Sequence, residues 1–233
     1  YLGAFDFSDD DNSNIAIVYA DGEIVDGWST DSIGGNSLSE ELRALRREDE
    51  IQAVVLRVNS PGGSAYASEQ ILREVELLRE SGKTVVVSMG AVAASGGYWI
   101  ASRADAIVAQ ASTITGSIGV FGMFPNYQQL REKIGVNVQL VKTGKYADGF
   151  GLSRSKSADE LALFQKFVDR VYEDFLDRVT SGRGLERDAV HEIAQGRVWT
   201  GAQALELGLV DVLGGLDTAI ALAAELAGIE DIA

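Results

Sequence analysis

Cysteine is absent from the 233 residues, which excludes disulfides, thiolate metal sites and a cysteine nucleophile and leaves no trace of redox compartment. Histidine occurs once, at His191, and that scarcity constrains the catalytic options more than any other count. With only 2 prolines and 46% hydrophobic residues, the chain is expected to form a compact globular unit. Positive charge is also short. Lys and Arg number 20 against 35 Asp and Glu, a net charge of -15, which argues against a nucleic-acid partner because phosphate binding needs a basic surface. No apolar run approaches the roughly 18 residues of a membrane span. The chain itself is expected to be soluble, with any anchor in a further segment.

What is present centres on Thr84 to Ala101, TVVVSMGAVAASGGYWIA. Its first half has the composition of a buried strand. Its second half is a run of small residues in which one hydroxyl, Ser95, is flanked by Ala94 and Gly96-Gly97. Side chains this small admit backbone and substrate close to the hydroxyl, and Tyr98 to Ala101 continue as a helix entering the core. A serine on the first turn of that helix meets outward-pointing N–H groups and the positive end of the dipole. An oxyanion could develop there; equally, a strand-to-helix turn can need small residues and nothing more.

Residues 1 to 14 carry four aspartates and two asparagines among aromatics, as in a linker or the end of a preceding domain, and a first residue other than Met suggests a fragment or processed product. A strand at Ile15 to Tyr19 is followed by an Asp21-Gly22 turn and a short strand at Glu23 to Val25. Ser37 to Glu40 fits a capping box opening a helix. Ile51 to Val58 is a central strand buried on both faces, ending in Asn59-Ser60-Pro61-Gly62-Gly63. A helix through Ile71, Leu72, Val75 and Leu78 stops at Gly82. Strands follow at 84 to 88, Ala106 to Ala109, Ile114 to Val120 and Asn137 to Lys142. The rhythm predicts an α/β domain over residues 15 to 233, with a mostly parallel sheet of repeated βα units and ligands at the carboxyl ends of its strands. Lys145 to Ser157 reads as a mobile loop. Ser157 to Glu160 is a second capping box, opening a long amphipathic helix, and shorter helices at about 186 to 194, 200 to 207 and 217 to 227 form a helical C-terminal appendage.

Serine hydrolysis needs a nucleophile, a base and oxyanion donors. Ser95 supplies the first and the Gly96 N–H one donor; a second would come from Gly62-Gly63 if the two turns lie side by side. Two kinds of base stay open, His191 in a polar helix and a lysine made neutral by a dry pocket. Lys142 and Lys145, at a strand end, are the nearest lysines by topology. No metal cluster has ligand spacing and no phosphate loop is present.

Taken together, the 59 to 63 turn and Ser88 to Trp99, with Thr115-Gly116-Ser117-Ile118-Gly119-Val120, Ala194 to Gly201 and Gly208-Leu209-Val210-Asp211, closely resemble the signal peptide peptidase A (protease IV) family, of the Clp-protease/crotonase-like fold. The resemblance implies a membrane-bound bacterial serine endopeptidase that degrades cleaved signal peptides with a Ser/Lys dyad, without a cofactor or metal, on the periplasmic or outer face. Ser95 stands at the nucleophile position. The N–H groups of Gly63 and Gly96 would form the oxyanion hole, and Ser117 with Gly116 and Gly62 would bind substrate. Phe121, Met123 and Phe124 could line an apolar cleft.

One departure stands out. Half-length members take their base from the lysine of Gly-x-x-Lys-Asp, and here Gly144-Lys145-Tyr146-Ala147-Asp148 has alanine at that position. In tandem long forms the lysine comes from the N-terminal half. The resemblance therefore implies a C-terminal half whose partners are apolar signal peptides, the N-terminal half of the same protein and further copies in a ring or dome. Alone it would be weakly active or inactive, with Lys145 the alternative base. Competing readings are a non-catalytic assembly half and a crotonase-type acyl-CoA enzyme.

Overall fold

The computed structural model describes residues 14–230, so the expected linker at 1 to 14 lies, apart from Asn14, outside the described residues. In chain order the elements are β1 (Ile15–Asp21), β2 (Ile24–Val25), β3 (Ile33–Gly34), α1 (Gly35–Arg47), β4 (Ala53–Ser60), α2 (Ala65–Glu80), β5 (Thr84–Ala94), α3 (Gly96–Ala101) and β6 (Ala106–Ala109). Then come β7 (Ile114–Gly116), α4 (Gln128–Lys133), α5 (Ala158–Arg183), α6 (Arg187–Ile193), β8 (Val198–Thr200), α7 (Gly201–Glu206), β9 (Val212–Leu213) and α8 (Leu216–Ala227). The described residues divide into two compact units, one on either side of the segment 120–174 in sequence, up to 119 and from 175 onward, and the other that segment itself.

The larger unit is built on a parallel sheet in the order β1-β4-β5-β6-β9, with β7 beside β5 and β8 antiparallel to β7. Its central strands are apolar on both faces because both are covered. On one face Leu38, Leu42 and Leu45 of α1 and Ile71, Leu72, Val75 and Leu78 of α2 are buried, each set recurring at helical spacing. On the other face Ala219 and Ala223 of α8 pack on Ala53, Val55, Val86, Ala106 and Val108. The C-terminal helices thus complete the main core, and β9 extends its sheet. All six residues of α3 are buried, and the Tyr98 hydroxyl, its pKa raised by that burial, donates to the Leu209 carbonyl at 2.9 Å.

Several local expectations need correction. Helix α1 starts at Gly35, with Gly34 as its N-cap and no side-chain cap, because Ser37 bonds instead to the Ser29 backbone at 3.1 and 3.2 Å. The short strand expected at Glu23 to Val25 is narrower, at Ile24–Val25, and pairs in parallel with β3. β7 stops at Gly116, where φ values of +78° at Gly116 and +48° at Ser117 turn the chain out of the ladder. Asn137 to Lys142 forms no strand, and its side chains are exposed.

In the smaller unit, Phe164 packs against Phe124 with tilted rings and against Phe150 edge-on, with ring centroids 4.1 and 5.1 Å apart. The expected capping box is present, with the Ser157 N–H donating to Glu160 at 2.8 Å and the Glu160 N–H to Ser157 Oγ at 3.3 Å. Arg154 bridges Asp148 (2.6 Å) and Glu160 (2.6 and 2.8 Å). Its guanidinium holds both carboxyls below their usual range, Glu160 at about 2. Because these groups titrate lower folded than unfolded, their contribution is complete above their ordinary range and fades as pH falls toward their folded values. The melting-temperature deficit of Arg154→Gln should therefore be constant above about pH 5 and close between roughly pH 5 and 2. A deficit undiminished at low pH in thermal melts would show that Arg154 acts through packing alone.

Candidate active site

Strand β5 delivers Ser95 to the carboxyl edge of the sheet and α3 starts immediately after it. Ser95 is the N-cap of α3 at φ 53° and ψ −119°, a conformation that L-residues rarely adopt and that costs about 1–3 kcal/mol. An N-cap serine ordinarily gives its oxygen to an N–H of the first turn. Here the hydroxyl makes no cap bond, and among the described residues it has no hydrogen-bond partner. The strained turn holds a half-buried hydroxyl ready for something else.

Two glycine-bearing turns meet beside it. Gly62 and Gly63 have φ of +102° and +151°. A Cβ on Gly62 would fall 2.7 Å from the Gly96 nitrogen and 2.8 Å from Ser95 Cβ, and one on Gly96 would fall 3.2 Å from the Gly63 nitrogen. Glycine is required because backbone packs on backbone. Among the described residues neither the Gly63 nor the Gly96 N–H is given to another acceptor, and Gly96, as the first residue of a helix, has none within it. Pro61 sets the turn, and the Gly62 N–H donates to Ser60 Oγ at 3.1 Å. The third strand of the site is β7, whose Gly116 carbonyl accepts the Ser95 N–H at 2.9 Å. Ser117 follows it, half-buried, with its own N–H on the Arg197 carbonyl at 2.7 Å.

Ser95, Gly62, Gly63, Gly96, Gly116 and Ser117 are thus brought together, and each candidate base has a neighbour within its own unit. Lys145 belongs to the 120–174 unit, is two-thirds exposed and pairs with Asp159 at 2.7 Å. Asp159 raises its pKa, the reverse of what a general base needs. Lys142 pairs with Asp148 at 3.0 Å. His191 lies within 3.3 Å of Gln195 on α6 and its flank. Ala147 is exposed. Of the expected cleft residues, Phe121 and Met123 are 87% and 77% exposed.

Two residues contribute in ways that the sequence pattern does not record. Ile24 donates to the Gly62 carbonyl at 2.9 Å and accepts from Ser64 at 2.8 Å, clamping the Gly62-Gly63 turn from β2. Ser68, buried on α2, lies where a Cβ on Gly96 would approach within 2.5 Å, so it closes the floor under the two free N–H groups. The short strand at 23 to 25 is legible, but its contact with a distant turn is not, and a lone helix serine carries no period to detect.

The arrangement offers an unengaged hydroxyl next to two unengaged backbone donors, the parts of acyl transfer other than the base. Residues 77–230 match the family described as Peptidase family S49, and residues 12–114 match Clp protease. Protease 4 of Haemophilus influenzae is 44% identical over 92% of this chain and 35% of its own length. Protease 4 of Salmonella typhi is 43% identical over 94% and 35%, and the chloroplastic serine protease SPPA of Arabidopsis thaliana 43% identical over 92% and 32%. The chain spans about a third of the length of these relatives.

Proposed function

The chain belongs to peptidase family S49, of signal peptide peptidase A and a Clp-protease/crotonase-like fold, and on that premise we propose that it carries the nucleophile and oxyanion hole of a serine endopeptidase whose base lies outside these 233 residues. Ser95 attacks the scissile carbonyl, and the N–H groups of Gly63 and Gly96 receive the oxyanion. Gly62, Gly116 and Ser117 line the path of the substrate backbone. The observation that supports this reading best is the strained, uncapped Ser95 hydroxyl beside two unspent N–H groups.

The base is a lysine of the N-terminal half of the same protein. Ala147 stands where the half-length pattern has its lysine, and Lys145 is exposed and held protonated by Asp159. Substrates are apolar segments such as cleaved signal peptides, met at a membrane to which another part of the protein is anchored; among the described residues no helix is long and apolar enough to cross one. The exposed apolar side chains of the 120–174 unit, Val141, Phe150 and Phe167 among them, suit contacts with that other half or with further copies.

Comparison of the 233-residue chain with the full-length protein on a fluorogenic apolar peptide ester tests the split dyad. Turnover is expected only in the longer protein, rising with pH as the buried lysine loses its proton, since only the neutral amine can accept the Ser95 proton. Equal Ser95-dependent turnover by the shorter chain would refute an external base and make Lys145 the residue to substitute.

A further inference from the structure

Strand β5 changes partners along its length. Its residues 86–88 pair with β6, whereas its residues 92–94 pair with β7. On its other side Val58 faces Met89 but Ser60 faces Ala93, so a step of two residues on β4 corresponds to a step of four on β5. The surplus forms a bulge at Gly90-Ala91-Val92, just before the strand reaches Ser95. A bulge bends its strand and strips backbone groups of their ladder partners, which other groups must then satisfy.

Two side chains do so. Thr113 Oγ1 donates to the Gly90 carbonyl at 2.8 Å, and Asn59 Oδ1 accepts from the Val92 N–H at 3.3 Å. The Asn59 amide is oriented by its other end, because Nδ2 donates to Asp21 Oδ1 at 3.1 Å and a carboxylate can only accept. It also sits hard on the bulge. A Cβ on Gly90 would lie 2.9 Å from both Asn59 Cβ and Oδ1, which leaves room for glycine only. The Asn59 carbonyl accepts the Gly22 N–H at 3.0 Å, and the residues that follow it are Ser60-Pro61-Gly62-Gly63. One residue therefore begins the turn that bears Gly63 and grips the strand that bears Ser95 and Gly96.

We propose that Asn59 is a positioning residue for the peptidase reaction: through the β5 bulge its amide sets the spacing of Ser95 and the Gly96 N–H relative to the Gly63 N–H. The inference rests on the peptidase reading above. The oxyanion exists only in the transition state, so a loosened spacing between its two donors lowers kcat and leaves substrate binding nearly untouched.

The test uses the full-length protein and steady-state hydrolysis of an apolar peptide ester, with thermal melts alongside. Asn59→Ala should lower kcat by about 10- to 100-fold, the cost of a misplacement of up to about 1 Å, with KM changed less than about threefold. Asn59→Asp keeps the acceptor for Val92 but sets a carboxylate against Asp21, and should be impaired as well. The exchanged pair, Asn59→Asp with Asp21→Asn, supplies donor and acceptor again and should recover kcat to within about threefold of wild type. If Asn59→Ala fails to fold, the single Asp substitution and the exchanged pair still decide the matter. A loss confined to KM, or a kcat that stays low in the exchanged pair although its melting temperature recovers, overturns the positioning role while leaving the peptidase reading intact. Wild-type hydrolysis that does not depend on Ser95 overturns the peptidase reading and takes this inference with it.

Discussion

Ser95→Ala in the full-length protein should lower hydrolysis of an apolar peptide ester by at least about 10⁴-fold, with melting temperature maintained. The magnitude follows from what remains when a nucleophile is removed. Backbone donors and substrate binding still act on water, but the covalent step is gone. Ser117 follows the Gly116 carbonyl that holds the Ser95 backbone, with its own N–H on Arg197. The stability half of the expectation is sharper for Ser95→Gly. The φ of 53° and ψ of −119° burden serine and not glycine, so relief of strain should exceed the entropy cost of the added freedom. A net gain of about 1 kcal/mol corresponds to a rise of roughly 2–4 °C for a domain of this size. Turnover would be lost in the same protein. A variant that is more stable and inactive would mark Ser95 as a place where the fold carries strain for chemistry. Retained hydrolysis in either variant would remove Ser95 from the reaction.

Gly63→Ala should cost about 10²–10³-fold in kcat and destabilise the protein. A Cβ at this position would come 2.0 Å from the Ile24 carbonyl oxygen and 2.8 Å from the Ile24 nitrogen, and φ of +151° is a conformation that alanine rarely adopts. Backbone of β2 cannot yield as a flexible side chain would, so the turn must move. Movement of the turn carries the Gly63 N–H away from the position of the oxyanion, where one donor is worth about 3–4 kcal/mol. Because the donor acts only on the transition state, KM should change little. Affinity for a peptide aldehyde or boronate, which forms a tetrahedral adduct on a serine, should fall in parallel with kcat; if kcat falls while adduct affinity is unchanged, Gly63 is a structural glycine and the second donor lies elsewhere.

Much of the candidate site is legible in the residues themselves. An apolar run ending in Ala-Ser-Gly-Gly says that a strand stops, that a helix starts and that something must approach closely, and both Gly-rich turns fell at strand ends in the structure as they did in the pattern. The family resemblance rested on those residues together with the stretches at 115–120, 194–201 and 208–211, and at the two turns glycine is needed because backbone meets backbone. The expected strand at Asn137 to Lys142 failed for a physical reason. Alternating Val and Leu with polar residues satisfies the local pattern of a strand, but these side chains are exposed and, among the described residues, no neighbouring strand supplies a ladder.

By itself, the sequence determined the α/β class, the buried central strands, the serine at the strand-to-helix turn and the two turns of glycine beside it. All of these are recorded in local composition and period. Tertiary structure decided which groups meet: Gly116 on the Ser95 N–H, Ile24 on the Gly62-Gly63 turn, Asn59 on the bulge, and Lys145 on Asp159. Those pairings depend on register and on a strand that changes partners at a bulge. A single chain's local pattern states which face of a strand is apolar, while the offset of that strand against its neighbour is set only when the whole sheet closes on its helices.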